Sequence, residues 1–160
     1  MFSAFSDSTD YPMLIVTACA DDDADGCLVG FATQVSIDPE RFLVCLSTRN
    51  RTYEVALRTN ALAVHLVGAD RKDLADLFGG HTGYDTDKLD QVPWTRGPAG
   101  TALLSDCPVR FVGAIVRTED FGDHVGFVLS PVPDDDDASA HAGSLLTYQQ
   151  IRGLSPGREP

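Results

Sequence analysis

Gly26-Cys27-Leu28-Val29-Gly30-Phe31-Ala32-Thr33-Gln34-Val35-Ser36-Ile37-Asp38-Pro39 leads into Phe42-Leu43-Val44-Cys45-Leu46-Ser47-Thr48-Arg49-Asn50-Arg51-Thr52, and the pattern of this stretch decides how the chain folds. Cys27–Thr33 reads as a strand and Val35–Ile37 carries the extended backbone onward. Asp38-Pro39 breaks it, because the residue before a proline is held out of the helical region. Phe42–Leu46 is a continuous apolar run, which marks a central strand. Both strands end in polar groups: Thr33, Gln34 and Ser36 after the first, Ser47 to Thr52 after the second.

Working outward, Met13–Cys19 is a further apolar strand, and the acidic turn Asp21–Gly26 joins it to Cys27–Thr33 as a hairpin. Thr52 is the expected N-cap of a short helix reaching Arg58, with Val55, Ala56 and Leu57 on its inner face. Ala61–Val67 is a strand. Asp70–Phe78 is a helix on the spacing of Leu74, Leu77 and Phe78, ended by Gly79-Gly80. Residues 81–106 read as irregular. Val109–Arg117, Val125–Leu129 and Leu145–Tyr148 are strands, and the tail from Ser155 should fray. This makes about seven or eight strands and two helices. Strand follows strand without βαβ alternation, which points to an antiparallel barrel rather than a doubly wound sheet.

The 160 residues suit one domain over 1–160, with a core over about 10–150. The net charge of −12, from 24 acidic and 12 basic residues, argues against a nucleic-acid partner, which needs a basic face. It also repels anions in general, so a phosphate must be held by local charge and backbone N–H groups. No apolar run is long enough to span a bilayer. The N-terminus has no basic n-region or apolar h-region, so the chain reads as cytoplasmic, without a membrane partner. Cys19, Cys27, Cys45 and Cys107 lack zinc-like spacing and read as small buried hydrophobes. No metal site is expected. The carboxylate run Asp134–Asp137 reads as a solvated loop.

No GxGxxG, GxxxxGK[ST] or GxSxG motif occurs, so neither a Rossmann site, a P-loop nor a nucleophile elbow is indicated. The segment Ser47–Thr52 concentrates hydroxyls, an amide and two guanidiniums between a strand and a helix. Arginines clamp phosphate in a bidentate fashion, and a helix start adds N–H donors. Its other reading is a solvated loop that balances the acidic surface. Thr33–Ser36 offers backbone and hydroxyl groups to a planar ring, or is ordinary strand-end polarity. His65, in an apolar strand, reads as a satisfied core or interface histidine.

Taken together these motifs resemble the flavin reductase-like, FMN-binding split-barrel family. Its signature, Gly-x-Thr-x-Ser/Asn-x-Phe-x-Ser-Val-Ser-x-Asp-Pro-Pro, is matched by Gly26, Val35, Ser36, Asp38 and Pro39. The strand Phe42–Leu46 and the segment Ser47–Thr52 follow in the expected order. Asp87-Lys88-Leu89 resembles the family's Asp-Lys-Phe element, Val92-Pro93-Trp94 follows it, and Gly122-Asp123-His124 resembles its Gly-Asp-His turn. Departures fall at Leu28, Gly30, Ala32, Gln34 and Glu40, positions that touch the flavin in relatives.

The resemblance implies a mainly β fold, an antiparallel split β-barrel (Greek-key, FMN-binding) with two or so short helices. It implies that Thr33, Gln34, Val35 and Ser36 contact the isoalloxazine and ribityl chain. Ser47, Arg49, Asn50, Arg51 and Thr52 would hold the phosphate, and Phe78 and Lys88 would lie at the ligand's edge. His124 would take the catalytic position, where the reduced nicotinamide stacks. The implied activity is NAD(P)H:flavin oxidoreduction: hydride passes from NADH or NADPH to FMN, or FAD. Such a step needs approach and orientation rather than a strong acid or base. A homodimer and a flavin-dependent monooxygenase partner come with it. The same residues are open to three other readings: a flavin-binding module without efficient reductase activity, a split-barrel enzyme using deazaflavin, heme or pyridoxine phosphate, and a structural interaction protein.

Overall fold

The computed structural model describes residues 1–134 and 140–153. Most of the run Asp134–Asp137 and the tail from Ser155 therefore lie outside the described residues; Asp134 itself is exposed. The strands are β1 (Leu14–Ala20), β2 (Asp23–Val29), β3 (Ala32–Ile37), β4 (Glu40–Ser47), β5 (Ala61–Leu66), β6 (Trp94–Arg96), β7 (Ala102–Leu104), β8 (Arg110–Asp120) and β9 (His124–Pro131). The helices are α1 (Phe2–Ser8), α2 (Arg51–Ala56), α3 (Lys72–Gly80) and α4 (Tyr148–Ile151). Seven strands form one sheet in the order β2-β1-β5-β8-β9-β4-β3, and β6 pairs with β7 apart from it. Every named pair is antiparallel.

β1 is buried along its whole length, so its alternate side chains must serve two cores. Leu14, Val16, Ala18 and Ala20 point into the barrel with Val44, Leu46, Leu62, Phe127 and Leu129, and α2 adds Val55 and Ala56. Ile15 joins the outer core with Leu74 and Phe78 of α3 and with Leu104. Gly26 is what lets α3 come this close: a Cβ there would lie 2.9 Å from the Phe78 ring. Burying Phe78 and its neighbours stabilises each by about 1.5–3 kcal/mol. Thr17 is fully buried, and its hydroxyl donates to the Ala102 carbonyl at 2.6 Å.

The seven strands curl into an antiparallel split barrel that does not close. β2 ends at Val29, the chain turns at Gly30, and the Cys45 N–H donates to the Phe31 carbonyl at 2.9 Å. β3 therefore starts beside β4 rather than as an extension of β2. A strand over Cys27–Thr33 is thus two strands with a step between them. In the β3–β4 pairing, a bulge falls between Gln34 and Ser36.

Other elements depart from the sequence reading for local reasons. The β1–β2 turn is tighter, since Asp21 accepts a φ of 55° and Ala20 pairs with Asp23; aspartate visits this region at low cost. Asn50, not Thr52, caps α2, because Asn50 Oδ1 accepts the Thr52 N–H at 3.2 Å while the Thr52 hydroxyl is taken by Asp25. Helix α3 continues through Gly79 and Gly80, neither of which takes a positive φ. Within 81–106, β6 and β7 form a small ladder from Trp94↔Leu104 to Arg96↔Ala102. Leu145–Tyr148 makes only the bridges Gly68↔Leu145 and Pro12↔Thr147 before α4 begins under a Thr147–Gln150 capping box. At the β8–β9 turn Gly122 has φ 128°, a conformation that favours glycine.

His65 is a satisfied core histidine. It is 0% exposed, with Nδ1 3.0 Å from the Ile15 carbonyl and Nε2 3.0 Å from the Leu104 N–H. The N–H of Leu104 must donate, so Nε2 accepts and Nδ1–H donates to Ile15. The ring thus ties β5 to β1 and β7. Replacing it orphans the buried Leu104 N–H and takes a side-chain donor from the Ile15 carbonyl. His65→Leu is expected to lower unfolding free energy by about 2–4 kcal/mol, read from urea denaturation; a loss under about 1 kcal/mol means these bonds do not hold β7 in place.

Candidate functional site

A cavity of about 340 Å³ opens where the barrel is split. Leu28 and Val29 at the end of β2, with Gly30 and Phe31 just after it, form one wall, and Leu46 and Ser47 at the end of β4, with Asn50 beyond it, form the other. His124 stands at the start of β9. Tyr11 and Tyr148 close the remaining side as a stacked pair, centroids 5.0 Å apart and inclined by 14°. Gly30 makes room for this wall, since a Cβ there would lie 2.7 Å from the Tyr11 ring.

The polar groups sit at one end, held by a short backbone network. Asn50 N–H donates to the Ser47 carbonyl at 3.0 Å, and Thr48 N–H donates to the Asp123 carbonyl at 2.9 Å. The Ser47 hydroxyl accepts the Arg49 N–H at 3.3 Å. Ser47 and His124 are register partners across β4 and β9, so the Gly122-Asp123-His124 turn and the Ser47–Asn50 segment meet by strand pairing. His124 Nδ1 lies 2.7 Å from Asp123 Oδ1, and its ring is 5.1 Å from the Phe31 ring.

The other sequence-predicted residues take different places. Arg49 is exposed and makes no ion pair among the described residues. Arg51 pairs with Asp23, which also takes Arg58. The hydrogen bonds from Arg51 and then Arg58 hold the Asp23 carboxyl below the usual carboxylate range. Thr52 is fully buried, its hydroxyl donating to Asp25 Oδ2 at 2.9 Å. Lys88 is buried with its Nζ 3.7 Å from Asp25 Oδ1, and Phe78 lies in the outer core. Neither lines the cavity. Thr33, Gln34 and Val35 are exposed on the edge strand β3 and Ser36 is half-buried. Gln34 lines a separate cavity of about 320 Å³ with Arg41, Phe42 and Phe111.

Sequence reasoning missed Tyr11, Met13, Phe31, Tyr148 and Ile151 as cavity walls. Tyr11 and Tyr148 lie near opposite ends of the chain, and no local pattern joins them. Leu28 and Gly30, two departures from the family signature, both face the cavity.

Such a space suits a flat, largely apolar ring with a few polar contacts at one end. A flavin has that chemistry: apolar walls for its ring, Ser47 and Asn50 nearby, and in the same segment, for a phosphate, Arg49, which makes no ion pair among the described residues. The residues present therefore fit the group. Among the described residues, no cluster of three or more His, Cys, Asp or Glu could hold a metal, and no helix is long and apolar enough to cross a membrane. All four cysteines are free thiols.

The chain matches the model of the flavin reductase like domain over residues 6–152. It is 31% identical over 142 residues to FMN reductase (NADH) RutF of Methylorubrum extorquens, covering 86% of this chain and 67% of that protein. It is 27% identical over 104 residues to the flavin-dependent monooxygenase reductase subunit HsaB of Rhodococcus jostii, covering 62% of this chain and 52% of that one. The crystal structure of an FMN-binding protein from Thermus thermophilus with bound 1-cyclohex-2-enone superposes with a TM-score of 0.74 at 25% identity, over 79% of this chain and 70% of that one. The chain spans 36% to 67% of the length of the curated relatives it matches.

Burial raises the thiol of Cys27, on the cavity wall, from an ordinary 9.0 to about 11, and that of Cys107 likewise to about 11. In this window the unfolded chain releases protons that the native state keeps, so stability falls as pH rises. The contribution is whole below about pH 9 and is lost on the way to about pH 11. We expect the urea midpoint to drop between pH 9 and 10.5, and to drop less steeply in Cys107→Ala. An equal slope in that variant rules the thiol out as the source.

Proposed function

We propose, proceeding from the fact that the chain belongs to the flavin reductase-like family, that it is an NAD(P)H:flavin oxidoreductase. FMN is the flavin we assign to the split-barrel cavity, with FAD as the alternative, and NADH or NADPH as the hydride donor. The observation that carries this reading is the joining of apolar walls to the Ser47–Asn50 segment and His124 at one 340 Å³ opening. When bound, the flavin supplies the hydride-accepting ring.

The protein's part is to bind, orient and exclude water. Leu28, Val29 and Leu46 present apolar surface to a ring. Ser47, Asn50 and the exposed Arg49 hold a phosphate at the polar end, where a guanidinium offers two parallel N–H donors. Arg51 is engaged by Asp23, which it shares with Arg58, and Thr52 is buried, so both act behind this segment. His124, half-buried beside Phe31, lies on the side we assign to the nicotinamide. Hydride transfer requires approach and alignment, not an acid–base pair, which suits a cavity without carboxylates in its lining.

A homodimer belongs to this reading. Phe31, Val35 and Ile37 are exposed apolar residues at and along the edge strand β3, with Ile37 83% exposed, and an open strand edge invites pairing. Thr33–Ser36 lies on the same edge, open to a ligand or to a second copy. A monomeric mass by light scattering removes the dimer. The similarity to a monooxygenase reductase subunit supports delivery of reduced flavin to such a partner, and four free thiols suit a cytoplasmic location.

Purified protein is expected to oxidise NADH or NADPH only when FMN or FAD is added or bound, read at the nicotinamide absorbance beside the visible spectrum. Flavin binding without turnover favours a flavin-binding module, and neither binding nor turnover overturns the reading. Arg49→Ala is expected to raise the KM for FMN by about tenfold or more with kcat little changed. His124→Ala is expected to lower kcat or raise the nicotinamide KM, and unchanged turnover removes His124 from the site.

A further inference from the structure

We infer that Asp25, locked between Lys88 and Thr52, is a positioning residue that gives the site its preference for a flavin bearing a phosphate; this rests on the flavin site proposed above. Asp25 is 3% exposed, Lys88 1% and Thr52 0%. Each oxygen of the Asp25 carboxylate has its own partner: Thr52 Oγ1 donates to Oδ2 at 2.9 Å, and Lys88 Nζ lies 3.7 Å from Oδ1. A Cβ at Gly83 would fall on the same carboxylate, so the group is enclosed from the loop side as well. Lys88 is oriented by the His81 carbonyl at 3.4 Å and stands 5.9 Å from the Phe78 ring.

A buried ion pair of this kind adds little stability over an apolar pair of the same volume, but its geometry is directional. Here the direction leads to the cavity. Asp25 holds the Thr52 hydroxyl, Asn50 Oδ1 accepts the Thr52 N–H, and Asn50 N–H donates to the Ser47 carbonyl. One hydrogen-bonded line therefore runs from the loop containing Lys88 to Ser47 at the cavity. Its neighbour Arg51 is tied down by Asp23, two residues before Asp25 on the same face of β2. The segment is thereby fixed from beneath, and Arg49 is its one guanidinium without an ion pair among the described residues. A preformed segment spares the ordering cost that a mobile one bears when a phosphate docks. The ring itself rests on the other walls, so the network acts on the phosphate alone.

The test compares FMN with riboflavin, which lacks the phosphate, by quenching of flavin fluorescence in two double variants. Asp25→Leu/Lys88→Met removes both charges and the acceptor for Thr52. Asp25→Asn/Lys88→Met removes the charges but keeps an acceptor. Urea denaturation establishes that both are folded. Wild type is expected to bind FMN more tightly than riboflavin. The Leu/Met variant should lose about tenfold of that preference, while riboflavin affinity stays within about twofold and the Asn/Met variant keeps most of the preference. An unchanged FMN-to-riboflavin ratio in a folded Leu/Met variant, or equal weakening of both ligands, overturns the proposal and leaves the pair a structural one. Wild type that binds neither flavin, or binds both equally with Arg49→Ala indifferent, overturns the flavin site itself and this inference with it.

Discussion

β1 has no solvent face, and the rest of the molecule is arranged around that constraint. A strand buried on both sides needs a cover for each. The barrel interior supplies one through Val44, Leu46, Phe127 and Leu129. Helix α3 and the β6–β7 ladder supply the other through Phe78 and Leu104. The polar atoms caught between the layers are then bound to bond internally. Thr17 donates to Ala102, and His65 bridges Ile15 and Leu104. Without those bonds the small outer layer would have orphaned backbone groups where it meets the sheet.

The cavity is a consequence of how the sheet curls. β2 and β4 approach each other without pairing among the described residues, and at the step after Gly30 the Cys45 N–H donates to the Phe31 carbonyl, just before β3. The space between them is walled by Leu28 and Val29 on one side and by Leu46 and Ser47 on the other. A flat ring can enter there without displacing the core. Polar groups gather at the same opening because β4 and β9 end there, and Ser47 pairs with His124.

Charge is distributed in a way the net value of −12 conceals. Two aspartates on alternate positions of β2 do not face solvent as a repulsive patch. Asp23 takes Arg51 and Arg58, and Asp25 takes Lys88 and Thr52. Each cation so engaged is withdrawn from ligand binding, and each carboxylate so engaged is withdrawn from repelling an anion. What remains near the cavity is Arg49, beside Ser47 and Asn50. An acidic protein can in this way keep an exposed cation locally against its own long-range field.

Much of this was legible in the sequence. The strands β1, β4, β5, β8 and β9 announce themselves as apolar runs, and their succession without βαβ alternation points to an antiparallel barrel. The free, mostly buried cysteines and the core role of His65 also follow from the runs they sit in. The helix cap, the β6–β7 ladder and the fate of Leu145–Tyr148 were not legible. Asn50 and Thr52 are both capping residues, and only the buried Asp25 carboxylate decides which hydroxyl or amide is left free to cap. Strands of three residues show no period, so Trp94–Arg96 and Ala102–Leu104 look like loop until Thr17 and His65 are brought against them.

The candidate site divides in the same way. By itself the sequence determined the family pattern, the polar segment Ser47–Thr52 and the turn at His124, because these are contiguous in the chain and their chemistry can be read residue by residue. Only the tertiary structure decided which of those side chains are available. It joined Ser47 to His124 through strand register and Asn50 to Ser47 through a backbone hydrogen bond, buried Thr52 and Lys88 against Asp25, set Thr33–Ser36 apart on an edge strand, and brought Tyr11 and Tyr148 together as a wall. The physical reason is that availability depends on partners distant in sequence: a guanidinium or hydroxyl is a ligand-binding group only when no nearer carboxylate has already claimed it.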